Sequence, residues 1–360
     1  MKQFLYLLFI GLLNVTFSQT NEKHVSTNKI NGVKKIAQEF LESESIPGMA
    51  ISISSNGEMI FSSGFGYSNL ETKQPVISNS TQFRIASISK SLTAVGLAKL
   101  MDAGKLELDE SIYSYIPDFP KKKYDFTVRQ VSGHIAGVRH YNGNEFILNK
   151  KMSIVEGLDI FKDSPLKFQP GTQYSYSTYG WNLLSVVIQN ASDTEFNKYM
   201  KEQIFDPLNM HNTTLDLSDQ PMPNRTLFYR KTNAGDIVLG LEVSNEHKVA
   251  GGGFVSTSED LIKFGNEIIN PKMISKESIK EILKPQKLTN GESTNYGVGF
   301  GIDQSVNGTP KYSHSGGGIG TTSLLLMYPE EGVVISLLTN RSQLPIREFG
   351  DALEIAVLED

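Results

Sequence analysis

The sequence predicts an α+β fold: an antiparallel sheet assembled from both chain ends and flanked by helices, beside a mainly helical region. Three observations carry this expectation. A hairpin pattern lies near the front of the chain. Helical pattern dominates the stretch from about Thr81 to Leu208, within a helical part expected at about 81–249. Short alternating runs separated by turn residues fill 296–338. The α/β part is therefore expected at about 28–80 and 250–360. No long linker, internal repeat or low-complexity run divides the chain, so 19–360 reads as one domain.

The first 18 residues stand apart. Met1-Lys2-Gln3 precedes an uncharged run from Phe4 to Leu13, and Thr16 and Ser18 put small residues before Gln19. This is the pattern of a signal peptide, residues 1–18, and predicts export to the periplasm or medium. The run is about half the roughly 20 residues that a membrane span requires, so no stable span is expected after cleavage; an uncleaved anchor is the alternative. No Arg occurs before Arg84, which disfavours an organellar transit peptide. Loss of the segment removes Lys2 and moves the formal charge from -5 to -6.

Ile30, Val33, Ile36, Ala37 and Phe40 recur at helical spacing, and Pro47-Gly48 ends that helix. Met49–Ser54 and Met59–Gly64 flank Asn56-Gly57, a type I′ turn signal, and form the clearest hairpin. Helices follow Ser87, Tyr179 and Asp193, with loops rich in Pro, Gly and Tyr between them. Tyr296–Asp303, Lys311–His314, Thr321–Met327 and Gly332–Leu338 read as successive strands, and Arg347–Leu358 as a closing helix.

A composition of 39% hydrophobic and 20% charged residues suits a folded chain of 360 residues, and the net charge of -5 disfavours nucleic acid as a partner. With no cysteine there is no disulfide or thiolate site, and the six histidines show no tight ligand spacing, so neither a metal nor another cofactor is expected.

Ser87-Ile88-Ser89-Lys90 opens an apolar helix and sets a hydroxyl and an amine one turn apart on one face. A lysine kept neutral by burial can take the serine proton, which points to acyl transfer through Ser87. A serine at a helix start can also simply cap it. The hydroxyl-rich loop Pro170–Thr178 offers Tyr176 as a second proton carrier; its tyrosines would otherwise just cover core edges. Lys311–Gly320 reads as a strand with a glycine-rich exit, able to pair with an extended substrate and to give a backbone N–H to an oxyanion hole beside that of Ser87. His314 in that strand reads by itself as structural.

In this order the three elements resemble the serine β-lactamase-like superfamily, in particular the class C β-lactamase-related group with its penicillin-binding proteins, esterases and D-amino-acid peptidases. The resemblance implies acylation of Ser87, Lys90 as its base partner, Tyr176 as the tyrosine of the Y-x-N motif, and His314-Ser315-Gly316 as the K/H-T/S-G strand, with Ser87 and Gly317 N–H groups holding the oxyanion. Gly133–Val138, Phe205–Met210 and Ala250–Phe254 match further family segments. Arg84–Lys90, Arg139-His140-Tyr141 and Tyr176-Ser177-Thr178 are most like the branch that contains a mitochondrial serine β-lactamase-like protein.

Two departures bear on substrate. Thr178 stands where many members have Asn, and His314 where β-lactamases proper have Lys, a permanent rather than a conditional cation. Lys231-Thr232-Asn233 and Ser218-Asp219-Gln220 echo other motifs but lack the last residue of each, and are read as decoys. The resulting expectation is an exported serine hydrolase acting on a small-molecule or peptide substrate, with amide cleavage ranked before ester cleavage and β-lactam hydrolysis third. An α/β-hydrolase is disfavoured because no G-x-S-x-G occurs. A silent peptide- or cell-wall-fragment-binding domain is the alternative from another class.

Overall fold

Asn56 and Gly57 take left-handed backbone angles, φ 51° and 84°, as a two-residue type I′ turn requires. Strand β1 (Gly48–Ser55) therefore turns directly into β2 (Glu58–Asn69), and β3 (Gln74–Pro75) extends the edge. The computed structural model describes residues 27–359; the expected signal segment 1–18 lies outside them.

Short strands occupy the middle of the chain: β4 (Phe83–Arg84), β5 (Thr214–Leu215), β6 (Tyr229–Lys231), β7 (Ile237–Leu239) and β8 (Phe254–Ser256). They build a small sheet in the order β4-β8-β5 and a β6-β7 ribbon. The C-terminal meander is β9 (Gly301–Gln304), β10 (Pro310–Gly318), β11 (Thr321–Tyr328) and β12 (Val333–Thr339). It joins the N-terminal hairpin in a seven-stranded antiparallel sheet, β3-β2-β1-β12-β11-β10-β9, closed by the β1·β12 pairing of Met49 with Thr339 through Ser55 with Val333. The sheet is thus made from both chain ends, as the sequence predicts. Strand β9 is shorter than the expected Tyr296–Asp303, because Gly299 takes φ +77° and breaks the extended backbone; Tyr296 keeps only an isolated bridge to Gly301.

The period of two along the central strands serves both sheet faces. Met49, Ile51, Ile53, Ile335 and Leu337 point into one apolar cluster with Val33, Ala37, Phe349 and Leu353, covered by helices α1 (Thr27–Ser43) and, at the chain's end, Ile346–Leu358. Leu325, Met327, Val334 and Leu338 point into the other, larger cluster. There they meet α2 (Ile88–Asp102), which continues through α3 (Thr178–Ser192) to the helical part, and α5 (Ser258–Ile269), which follows the one-turn α4 (Val249–Gly252). The C-terminal helix is then α6.

Phe40 of α1 stacks on Phe349 of α6 with ring centroids 4.0 Å apart, so one contact joins the two helices that cover this face of the sheet. Phe349→Ala is expected to cost about 3–5 kcal/mol, read as a lower urea midpoint with an unchanged slope.

Candidate active site

Helix α2 is apolar enough to be sealed: every residue from Ile88 to Ala98 is buried. Its polar members each bind backbone. Ser89 Oγ accepts from Phe254 N at 3.3 Å, Ser91 Oγ donates to Gly299 O at 2.6 Å and Thr93 Oγ1 to Ala250 O at 3.1 Å. Ser87 heads this helix and is only partly buried. It sits at the N-cap but makes no capping bond, which leaves the hydroxyl for other chemistry and argues against a purely capping role.

The turn before Ser87 is strained. Ala86 takes φ 43°, a conformation that costs a non-glycine residue on the order of 1–3 kcal/mol. It is pinned from both sides: Thr321 Oγ1 donates to Arg84 O at 2.5 Å and Ser323 Oγ to Ile85 O at 2.9 Å, while β4 pairs with β8. Gly316 of β10 lies against the same turn, where a Cβ would stand 2.3 Å from Ile85 O.

Lys90 Nζ lies 3.0 Å from Ser87 Oγ, 2.5 Å from Gly251 O and 3.4 Å from Thr178 Oγ1. None of these partners is a carboxylate, and burial holds the amine well below the ordinary lysine range. Its place in the first turn of α2, at the positive end of the helix dipole, disfavours the cation further. The α4 tip delivers the Gly251 carbonyl because glycine permits the approach: a Cβ on Gly251 would stand 2.6 Å from Thr178 Cγ2.

Tyr176 comes from the loop before α3, which Ser177 caps by accepting from Gly180 N at 3.0 Å. The Tyr176 hydroxyl lies beside the Ser87 side chain, which lowers its pKa, but burial outweighs that and raises it, keeping it a neutral phenol. Lys90 Nζ is 4.9 Å from the ring centroid, and the His134 ring packs on Tyr176 at 4.2 Å. His134 Nδ1 accepts from Ser177 N and His140 Nδ1 from Thr178 N, both at 3.1 Å. These two histidines hold the Tyr176 loop in neutral form; burial, with Lys90 nearby, pushes His140 down to about 4.

His314 is engaged at both nitrogens. Nδ1 is 2.7 Å from Ser315 O, an acceptor, so Nδ1 carries the proton. Burial pushes the ring down to about 3, so Nε2 is a bare acceptor and accepts a hydrogen bond from the Tyr296 hydroxyl at 2.9 Å. Strand β9 pairs with β10 only as far as Gly301 opposite Ser313. Among the described residues, the β10 edge from His314 to Gly318 has no strand partner on that side.

Two cavities meet at Ser87, Tyr176 and Gly317. An inner one of about 170 Å³ continues past Thr178, Gly251 and Lys248; an outer one of about 720 Å³ runs along Tyr296, His314, Ser315 and Arg347. Gly317 faces the junction with open space where a Cβ would be. The structure thus brings Ser87, Lys90, Tyr176, Thr178, His314, Ser315, Gly316 and Gly317 together. It ties Thr178 to the Lys90 amine, packs Gly316 beneath the nucleophile turn and bonds His314 to Tyr296. The Gly251 carbonyl falls inside the Ala250–Phe254 match, which by itself gives it no role, and the Tyr296 hydroxyl had no signal in the sequence. The decoys stay outside both cavities: Lys231 is an exposed residue at the end of β6, and Ser218 hydrogen-bonds Glu246. Among the described residues no His/Asp/Glu group is arranged to hold a metal, and no helix is long and apolar enough to cross a membrane.

Residues 33–359 match the Beta-lactamase family. The human serine beta-lactamase-like protein LACTB, mitochondrial, is 29% identical over 86% of this chain and 76% of its own. Among solved structures, the octameric penicillin-binding protein homologue from Pyrococcus abyssi superposes with a TM-score of 0.80 at 24% identity, over 91% of this chain and 77% of its own. The D-amino acid amidase from Ochrobactrum anthropi SV3 gives 0.79 at 24%, over 92% and 99%. At such identities the two structures speak for the fold. The match across nearly all the described chain, with the S-x-x-K helix, tyrosine loop and glycine strand around one cleft, makes this chain a member of the β-lactamase family of serine hydrolases.

Proposed function

We propose that the protein is an exported hydrolase working through a Ser87 acyl-enzyme, with peptide or amide bonds as its first substrate class, carboxylic esters second and β-lactams third. One observation carries the reading: Lys90, fully buried without a carboxylate partner, stands 3.0 Å from a partly exposed Ser87 hydroxyl at the meeting point of two cavities. The Lys2 and Phe4–Leu13 pattern supports export with loss of 1–18, leaving 19–360 as a single catalytic domain.

A neutral amine has two hydrogens and one lone pair. Gly251 O and Thr178 Oγ1 take the hydrogens, and the lone pair is left for the Ser87 proton. Burial moves Lys90 down toward working pH and Tyr176 up and away from it, so Lys90 is the base and Tyr176 the relay. Ser87 Oγ attacks the carbonyl carbon, and the N–H groups of Ser87 and Gly317 hold the oxyanion. The proton on Lys90 then passes through Tyr176 to the leaving nitrogen or oxygen as the bond to it breaks. Water, activated by the same pair, releases the acid. The free β10 edge from His314 to Gly318, Ser315 included, takes an extended substrate by strand addition. His314, neutral and bonded at both nitrogens, fixes that edge and brings no positive charge to it. The amide ranking rests on the family and on the amidase that shares this fold.

Ser87→Ala is expected to abolish labelling by a fluorophosphonate, and Lys90→Ala to slow it by about 10²–10⁴-fold; labelling of the Ser87→Ala protein would refute the nucleophile. A screen of 4-nitroanilides, 4-nitrophenyl esters and a chromogenic cephalosporin tests the ranking, which a dominant cephalosporin turnover would reverse.

The base must be deprotonated to act, so the labelling rate should rise with pH and level off as Lys90 becomes neutral, well below the ordinary lysine range. His140 and His314, at about 4 and about 3, add no step between pH 5 and 9. Stopped-flow labelling across that range reads the profile, and loss of the limb in Lys90→Ala assigns it.

Gly316→Ala places a methyl against the Ile85 carbonyl and pushes β10 from the Ser87 turn. A drop in kcat/KM of roughly 10²-fold is expected, together with a lower Tm from overpacking a buried position, checked by amide or ester turnover beside thermal melting.

A further inference from the structure

Lys248 lines the inner cavity and takes no part in the chemistry above. Its side chain is almost wholly buried. The amine donates to Phe146 O at 3.1 Å and lies 5.5 Å from the Tyr141 ring centroid and 5.6 Å from that of Phe146. Among the described residues no carboxylate forms an ion pair with it. An ammonium carries three donors, and a protein carbonyl takes one of them here.

The surrounding charges do not balance. Arg84 and Arg225 both bond Asp216, at 2.6 Å each, and Asn245 adds a third donor to that carboxylate at 2.8 Å. Glu246 is held by Ser218 and Ser244. Arg84, Arg225 and Lys248 thus face Asp216 and Glu246, three cations against two carboxylates. The inner cavity's lining contains Arg84 and Lys248 and no acidic residue, whereas the outer cavity sets Lys311 and Arg347 against Asp303 and Asp351. Burial, with Arg84 adding to it and Asp216 opposing, pushes Lys248 down to about 8, which leaves it mostly charged at neutral pH. A buried charge without a counter-ion is costly, and an anion entering the cavity relieves that cost.

The two cavities suit different halves of a substrate. The acyl half stays on Ser87 until water arrives and fits the small inner cavity, while the leaving half must depart and has the wide outer one. We infer that the inner cavity receives an acyl group ending in a carboxylate, with the Lys248 ammonium as its counter-ion, so that the enzyme selects amides or esters of short dicarboxylic acids and of acidic residues. The inference rests on the Ser87 acyl-enzyme reading.

The test compares glutaryl and pentanoyl 4-nitroanilides, which share chain length and differ in the terminal carboxylate. The wild type should favour the glutaryl substrate by at least tenfold in kcat/KM, and free glutarate should inhibit competitively where pentanoate does not. Lys248→Met should lose the preference and Lys248→Arg should keep most of it. Since Met replaces an unpaired buried charge, the variant is expected to fold with an equal or higher Tm. Equal turnover of both anilides by an enzyme that fluorophosphonate labels at Ser87 overturns the inference and leaves the hydrolase reading standing. A preference that survives in Lys248→Met, or one that follows a carboxylate on the leaving aniline instead, also overturns it. Failure of the wild type to label at all refutes the hydrolase reading itself.

Discussion

A lysine amine sealed into the protein interior without a carboxylate is the constraint around which this structure is arranged. Burial disfavours the ammonium, and the start of α2 disfavours it again, because the free N–H groups there carry partial positive charge. The same N–H groups favour negative charge on whatever is bonded to Ser87. One helix end therefore supports both a neutral base and an oxyanion. That effect depends on keeping water from Lys90, which is why α2 is buried on every side and its serines and threonine are bound to backbone at α4, β8 and Gly299.

The close contacts around α2 explain why small residues gather at its N-terminal end. Gly251 and Gly316 come from distant parts of the chain, and each lets backbone approach where a methyl would collide. They tie the strained Ala86 turn to β10 and the α4 tip to α3. The seven-stranded sheet supplies the rigid frame, since β11 contributes Thr321 and Ser323 to hold the carbonyls just before Ser87. Strain at Ala86 is held by packing on both sides, so the geometry of the nucleophile is paid for by the core.

Charge follows the same logic. His134, His140 and His314 are all held neutral by burial, and a specific hydrogen bond orients each ring. They act as fixed dipolar supports for the tyrosine loop and the β10 edge. Positive charge is concentrated instead in the wall of the inner cavity, at Arg84 and Lys248, on the far side of Ser87 from His314.

The sequence by itself determined the elements whose signals are local. Asn56-Gly57 names its own turn, the α1 and α6 periodicities name their buried faces, and Ser87 and Lys90 are one helical turn apart in any α-helix. It also determined the family, because several short motifs keep their order along the chain. Strand β9 was legible only in part: Gly299 breaks it with φ +77°, at a place where a Cβ would stand 2.8 Å from Lys90 O and 2.9 Å from the Trp181 ring. What the tertiary structure alone decided is which partner each polar group finds. Thr178 binds the lysine, Tyr296 donates to His314, Gly251 offers its carbonyl, and Lys248 is left with a surplus charge. These contacts, with that of Lys248 on Phe146 O among them, join residues 18 to 161 positions apart. Spacing along a chain carries no information about such distances, because burial and hydrogen bonding are settled only when separate elements pack together.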